Sequence, residues 1–529
     1  MMETLLHHLP GNAALRAPER TALIHGERTL DYGALYEAIE VFASGLMHLG
    51  VARGERVGIF LEKRFETVIA SFGTAAAGAV FVPVNPLLKA EQVGYILRDC
   101  NVRVLITSRE RLDPLRAELA QCRDLRHVVV CGAAEAPEPV ADLHLHRWEA
   151  FMEAPKRAGH RVIDTDMLAI LYTSGSTGKP KGVVLSHRNM VCGAQSVASY
   201  LENNADDVLL AALPLSFDAG FSQLTTAFHA GASVALLNYL LPRDVLNALV
   251  RHRVTGLTAV PPLYIQLTQL EWPQGIDEHL RYFANTGGRM PLETLKILRA
   301  RLPRSKPYLM YGLTEAFRST YLPPEEVDRR PDSIGKAIPN AEILVLREDG
   351  TPCAPNEPGE LVHRGALVGM GYWNDPVKTA ERYKPLPGRE PGLVLPEIAV
   401  FSGDTVRMDE EGYLYFVGRR DEMIKTSGYR VSPTEIEEVL YGTQLVGEAV
   451  AFGVDHPTLG QAIVVVATPK DGATLDAATL MMACRTHLPA YMVPAKIDVR
   501  PGPLPRNPNG KLDRKTISAE FKHAFGAAA

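Results

Sequence analysis

Between residues 20 and 260, short apolar runs rich in β-formers alternate with stretches of helical periodicity. Strand–helix repeats bury both faces of a parallel sheet, so this alternation dictates an α/β architecture. Val57-Gly58-Ile59-Phe60-Leu61 reads as a buried strand, helical spacing covers 65–77, and 80–84 is a second short strand. Val104-Leu105-Ile106 and Val128-Val129-Val130 repeat the pattern. A second set runs through Val208-Leu209-Leu210, 234–237 and 257–260, each followed by helical spacing. Two stacked α/β subdomains are expected.

Beyond about residue 330 the texture changes. The segments 341–347, 359–363 and 412–417 are short, alternating and bounded by turns, as in an antiparallel sheet or small barrel. A polar joint, Gly418-Arg419-Arg420-Asp421, leads into an α+β pattern: helix over 434–441, strands over 448–454 and 462–468, helix over 477–487. The predicted organisation is a large N-terminal domain over 1–420, two stacked α/β subdomains plus a small β-barrel, and a small α+β C-terminal domain over 421–529. A chain of 529 residues has room for these units, since a typical domain takes ~100–150.

Composition removes several function classes. Lys and Arg number 56 against 61 Asp and Glu, a net charge of −5, which gives no electrostatic footprint for nucleic acid or an anionic membrane. No apolar stretch approaches the ~20 residues needed to span a bilayer; the nearest, 70–84, is broken by Gly73, Gly78 and Pro83. The N-terminus has no basic region followed by an apolar one, so export is not expected. The six cysteines are scattered without a C-x-x-C pair, which points to a reduced, cytoplasmic protein.

The segment with most chemistry is Thr173-Ser174-Gly175-Ser176-Thr177-Gly178-Lys179-Pro180-Lys181, set between the apolar run 167–171 and the β-like run 183–185. Such a loop aims backbone N–H groups and hydroxyls at phosphate oxygens, with Lys179 or Lys181 adding charge. It is not a Walker A loop, because only Ser176 and Thr177 separate Gly175 from Gly178 and Pro180 follows Lys179. The string closely resembles the phosphate-binding signature of the adenylate-forming superfamily: acyl-CoA synthetases, carrier-loading adenylation domains and luciferases.

Further motifs of that superfamily follow in order along nearly the whole chain. Tyr311-Gly312-Leu313-Thr314-Glu315 resembles the adenine and magnesium motif, which implies that Tyr311 stacks on the base, Thr314 touches the α-phosphate and Glu315 holds Mg²⁺. Gly287-Gly288-Arg289 is similar to the glycine-rich strand end beside the adenine, although many relatives carry Glu or Ala in place of Arg289. Ser402-Gly403-Asp404 resembles the ribose motif. The segment 418–430 is similar to the hinge motif, which makes Asp421 the pivot of a mobile C-terminal domain. By the same resemblance Arg419 approaches the ribose and phosphates, Arg430 is a second cation and Gly428 lies beside the thiol tunnel. Pro508-Asn509-Gly510-Lys511 resembles the C-terminal motif whose lysine meets the carboxylate and α-phosphate.

The resemblance implies an AMP-forming acid–thiol ligase that uses ATP and Mg²⁺. The acid becomes an acyl-adenylate with release of pyrophosphate and then passes to a pantetheine thiol, on CoA or on a carrier protein. The residues after Lys511 are too few to fold a carrier domain, so a carrier is expected as a separate partner.

The acid is read from Leu213-Pro214-Leu215-Ser216-Phe217-Asp218, which falls where the superfamily places its acyl-pocket rim, with Gly287 and Arg318 alongside. Amino-acid adenylation domains carry Phe-Asp there, the carboxylate binding the substrate ammonium, and Phe217-Asp218 matches. Two other uses of Asp218 stay open: the N-cap of a helix over 219–229, or a partner for Arg318. Phe217-Asp218-Ala219-Gly220-Phe221 and the segment 311–321 also look like stand-alone prolyl-carrier ligases and exosortase A-associated acyl-CoA ligases. A small, amino, acid is the first expectation; a non-amino carboxylic or fatty acid, or a non-catalytic nucleotide-binding relative, are the alternatives.

Overall fold

The computed structural model of the protein describes residues 2–132, 138–173, 180–388, 392, 394–419, 422–426, 429–456, 458–507 and 510–525. Two sheets dominate. The eight-stranded one has a parallel centre of Met167–Thr173, Val80–Pro83, Arg56–Phe60, Val102–Ser108, His127–Cys131 and His144–Arg147, in that spatial order. Lys181–Ser186 and then Gly371–Tyr372 extend it antiparallel. The nine-stranded sheet is parallel through Ser233–Leu236, Val208–Ala211, Gly256–Ala259, Tyr282–Asn285 and Lys306–Tyr311.

Helices between the sheets fuse them into one core. Phe72, on Phe65–Ala77, stacks on Phe221 of Asp218–Ala230 with ring centroids 5.7 Å apart, and Phe81 of the first sheet meets the same ring at 4.9 Å. Burying one such ring contributes roughly 1.5–3 kcal/mol relative to leaving it exposed. The first hairpin is the topological surprise. Thr21–His25 pairs antiparallel with Arg28–Asp31 on one side and, on the other, parallel with Ser233–Leu236 of the second sheet, through Leu23 with Val234 and Ile24 with Ala235.

Beyond these layers lies a five-stranded antiparallel sheet of Ala341–Leu346, Gly359–Gly365, Tyr383–Pro385, Ile398–Met408 and Leu414–Arg419. The last part has its own five-stranded sheet, centred on Val446–His456 and Gly460–Pro469 and covered by the helices Pro433–Gly442 and Ala477–His487. All six cysteines are free thiols. Among the described residues no helix is long and apolar enough to cross a membrane.

One buried cation ties the two large sheets together. Lys63, just past the strand Arg56–Phe60, donates to the carbonyls of Ala212 at 2.8 Å and Leu213 at 3.3 Å in the other layer. Its backbone N–H donates to Asn238 Oδ1, and Asn238 Nδ2 donates back to its carbonyl. Burial pushes the ammonium down to about 7, against about 10.4 in an unfolded chain. Between those values the unfolded chain holds a proton that the folded protein has released, so stability from this group rises with pH. The unfolding-temperature difference between wild type and Lys63→Met should therefore move in favour of wild type from about pH 7 to about pH 9.5. A constant difference would mean that the amine titrates as it does in water.

Candidate active site

The candidate phosphate loop joins two antiparallel strands, Met167–Thr173 and Lys181–Ser186, with Thr173 paired to Lys181 at its base. Ser174, Gly175, Ser176, Thr177, Gly178 and Lys179 lie outside the described residues. Lys181 extends its ammonium over the Tyr372 ring, 5.4 Å from the centroid, a cation–π contact. Tyr372 in turn donates to Glu315 Oε1 at 2.6 Å. Burial lowers the Lys181 pKa, and the cations Lys378 and Arg382 push the same way while Asp375 and Glu315 oppose them. Clustered cations of this kind can attract a polyanion.

Glu315 sits in a short turn, Thr314–Ala316, that ends on Phe317 at φ +57°. A buried aromatic residue in the left-handed region costs about 1–3 kcal/mol, and such strain clusters at functional sites. Here it reverses the chain between Glu315 and Arg318. Among the described residues no group of three His, Cys, Asp or Glu could hold a metal unaided. Mg²⁺ is commonly bound by one or two carboxylates together with substrate phosphates, and Glu315 fits that donor set.

Tyr311 ends the strand Lys306–Tyr311 and donates its hydroxyl to Asp404 Oδ2 at 2.6 Å. Asp404 is buried on Ile398–Met408, and burial raises its pKa while Arg419 and the Tyr311 hydrogen bond oppose the rise. Arg419 Nε stands 3.4 Å from Asp404 Oδ1. Gly403 takes φ +69°, a conformation that favours glycine, and the Arg382 guanidinium lies against it, so any side chain there would have to displace that group.

At the other end of the cleft, Gly287 follows the strand Tyr282–Asn285 with φ +74°, and Asn285 Nδ2 fixes the turn by donating to the Gly288 carbonyl at 2.8 Å. The end of the Lys511 side chain lies against this glycine: a Cβ on Gly287 would stand 3.2 Å from Lys511 Cε and 3.4 Å from Nζ. Lys511 as a residue keeps solvent contact. Its ammonium is nonetheless surrounded by enough protein that burial is the largest influence and lowers its pKa. Arg419 adds to the fall, and Asp218, Asp404 and Glu422 oppose it.

Asp218 opens the helix Asp218–Ala230, but Phe217 occupies the cap position and no side chain caps the helix. The capping alternative is therefore not the one adopted. The carboxylate instead accepts from Thr314 Oγ1 at 3.4 Å and pairs with Arg318 Nη1 at 3.5 Å. Both distances are long for charge-assisted contacts, which run near 2.7–2.9 Å. Arg318 is only 3% exposed and also donates to Thr286 Oγ1 at 3.2 Å. Among the described residues, buried Arg318 Nε and Ser216 Oγ have no hydrogen-bond partner.

Arg318 also borders a cavity of about 20 Å³, lined in part by Ser222, Gln223, Thr226 and Thr258. Sequence reading passed over these residues. The available signal was the run of polar side chains at 218, 222 and 226, which share one face of a largely buried helix. Arg430 lies in the strand Tyr429–Val431, but its side chain is outside the described residues, as are Asp421 and Gly428.

Residues 12–373 match the AMP-binding enzyme family, and residues 435–511 match the AMP-binding enzyme C-terminal domain. The chain is 32% identical to the L-proline–[L-prolyl-carrier protein] ligase of Streptomyces coelicolor, over 97% of its own length and 96% of that protein. It is 29% identical to a linear gramicidin synthase from Brevibacillus parabrevis, matching over 98% of itself but spanning only 10% of that much longer relative. In three dimensions it resembles the O-succinylbenzoate coenzyme A synthetase of Bacillus subtilis solved with ATP and a magnesium ion. That likeness has a TM-score of 0.80 and 26% identity, covering 96% of this chain and 99% of that one.

Proposed function

We propose a reaction and a substrate class from one premise: the chain belongs to the AMP-binding enzyme family. Within this family of ATP-dependent, AMP-forming ligases, the protein activates a small amino acid as its acyl-adenylate. It then transfers the acyl group to a pantetheine thiol, on CoA or on a carrier protein.

In this reading the acid's carboxylate attacks the α-phosphorus of ATP and pyrophosphate leaves. Two anions must meet, so the residues work by placing cations and donors rather than by nucleophilic attack. Lys511 bridges the carboxylate and the α-phosphate, Thr314 contacts the α-phosphate, and the loop 173–181 with Lys181 receives the outer phosphates. Tyr311 lies against the adenine, beside Gly287 and Gly288. Asp404, held by Tyr311, accepts from the ribose hydroxyls, and Arg419 approaches the ribose and phosphates. Glu315 would hold Mg²⁺, which when bound neutralises phosphate charge. A rotation about Asp421 would then withdraw Lys511, bring Arg430 in and open a thiol path beside Gly428.

The observation that carries the amino-acid reading is the placement of Asp218 beside Thr314, with its charge felt at the Lys511 ammonium. A substrate whose carboxylate meets Lys511 carries its α-ammonium one carbon away, on the Asp218 side. The long Asp218–Arg318 and Asp218–Thr314 contacts leave that carboxylate with acceptor capacity. The likeness to a prolyl-carrier ligase supports the same class. The Arg318 pairing also favours one competitor, an acid without an amine, for which Asp218 would only neutralise a buried guanidinium.

The test is acid-dependent pyrophosphate release with paired substrates: proline against cyclopentanecarboxylate, alanine against propionate. A buried carboxylate left unmatched by the desamino analogue should give a preference for the amino acid of about 10²-fold or more in kcat/KM. Equal turnover within each pair would remove the ammonium from the recognition scheme.

A further inference from the structure

The helix Leu292–Arg301 begins on Pro291, which offers no side-chain cap, so its first amides need acceptors from elsewhere. One comes from across the cleft. Glu438, on the helix Pro433–Gly442 of the C-terminal part, accepts from the Leu292 backbone N–H at 2.8 Å. Just past the end of that helix, Gln444 Nε2 donates to Glu293 Oε1 at 2.7 Å. The second Glu438 oxygen stands 4.0 Å from Arg289 Nε, a buried donor that no hydrogen bond reaches among the described residues. Glu435 faces the same cation: burial raises its pKa and Arg289 opposes the rise.

These contacts fall on one short stretch of the large domain. Arg289, Leu292 and Glu293 follow closely on Gly287, the glycine against which Lys511 lies. Lys511 and Glu438 belong to the same C-terminal part, so one rigid movement of that part would separate both from residues 287–293.

We infer that Glu438 is a positioning residue: by capping a helix of the large domain, it holds the C-terminal part in the arrangement that seats Lys511 at Gly287. The reading rests on the role proposed for Lys511, and it adds a charge-assisted cap that exists only in this arrangement. Once the part rotates, the Leu292 amide loses its acceptor and Arg289 its neighbouring carboxylate. Both losses favour the seated state, by the amount an N-terminal cap contributes to a helix.

The experiment needs no substrate. Hydrogen exchange of the full-length chain, followed by mass spectrometry, compares wild type with Glu438→Ala and Glu438→Gln. In Glu438→Ala the segments around Leu292 and Lys511 should both exchange about tenfold faster, with an unchanged unfolding midpoint. Glu438→Gln, which keeps an acceptor oxygen but no charge, should fall between. Unchanged exchange around Lys511 would overturn the inference, and so would faster exchange spread through the whole large domain. With an acid that wild type turns over, Glu438→Ala should slow adenylation about tenfold and spare transfer from a supplied acyl-adenylate. If no acid is turned over, the proposed reaction fails while the exchange result still decides the role of Glu438.

Discussion

Lys511→Ala should abolish acid-dependent pyrophosphate release and leave thiol transfer from a supplied acyl-adenylate close to the wild-type rate. The ammonium lies against Gly287, within reach of the fields of Asp218 and Asp404, where the acid and the ribose are proposed to bind. Removing one preorganised donor to developing charge costs about 10²–10³-fold in kcat. Lys511 is expected to exceed that, because it meets two anions that repel each other. Its pKa is lowered by burial and by Arg419. Adenylation should therefore fall on the alkaline side at a lower pH than an exposed lysine would dictate, while transfer keeps its profile. Both half-reactions are measured separately, by pyrophosphate release and by thioester formation. Equal loss in the two would show that Lys511 supports the fold and not the first step.

Asp218→Asn should lower kcat/KM for the preferred amino acid by about 10²-fold or more and narrow its advantage over the desamino analogue. The substitution keeps the shape of the side chain and removes its charge, so a substrate ammonium would meet an uncompensated site. It also leaves Arg318 buried without its carboxylate, and breaking a buried pair from one side costs about 3–5 kcal/mol. A drop in unfolding temperature is thus expected on either view of Asp218 and decides nothing alone. The ratio of amino acid to analogue decides. If it stays constant while stability falls, Asp218 serves Arg318 only.

Much of the framework was legible because the signals are local. The helices over 65–77 and 477–487 have the bounds their periodicity predicts, since a buried face spaced at the helical repeat is written in adjacent residues. Gly287 and Gly403 stand where the backbone takes a positive φ that favours glycine. Tyr311 and Asp404, 93 positions apart, meet in one hydrogen bond, a contact that the separate roles implied by the motifs, at the base and at the ribose, did not specify.

What was not legible depends on which distant segments become neighbours. Nothing in 21–25 announces a partner strand at 233–236, because any apolar strand edge offers the same hydrogen bonds. Lys63 reads as a solvated charge until the fold sets two carbonyls of another layer against it. The sequence left three uses of Asp218 open: a substrate ammonium, a helix cap and a partner for Arg318. The structure removed the cap by giving that position to Phe217, and set Asp218 beside Arg318. Glu438 is one of three acids on its helix until the large domain presents an uncapped amide. The sequence by itself determined the elements, the order of the motifs and the chemistry they can carry. Tertiary structure alone decided which charges face one another, because burial and distance set the strength of a charge and neither is a property of neighbouring residues.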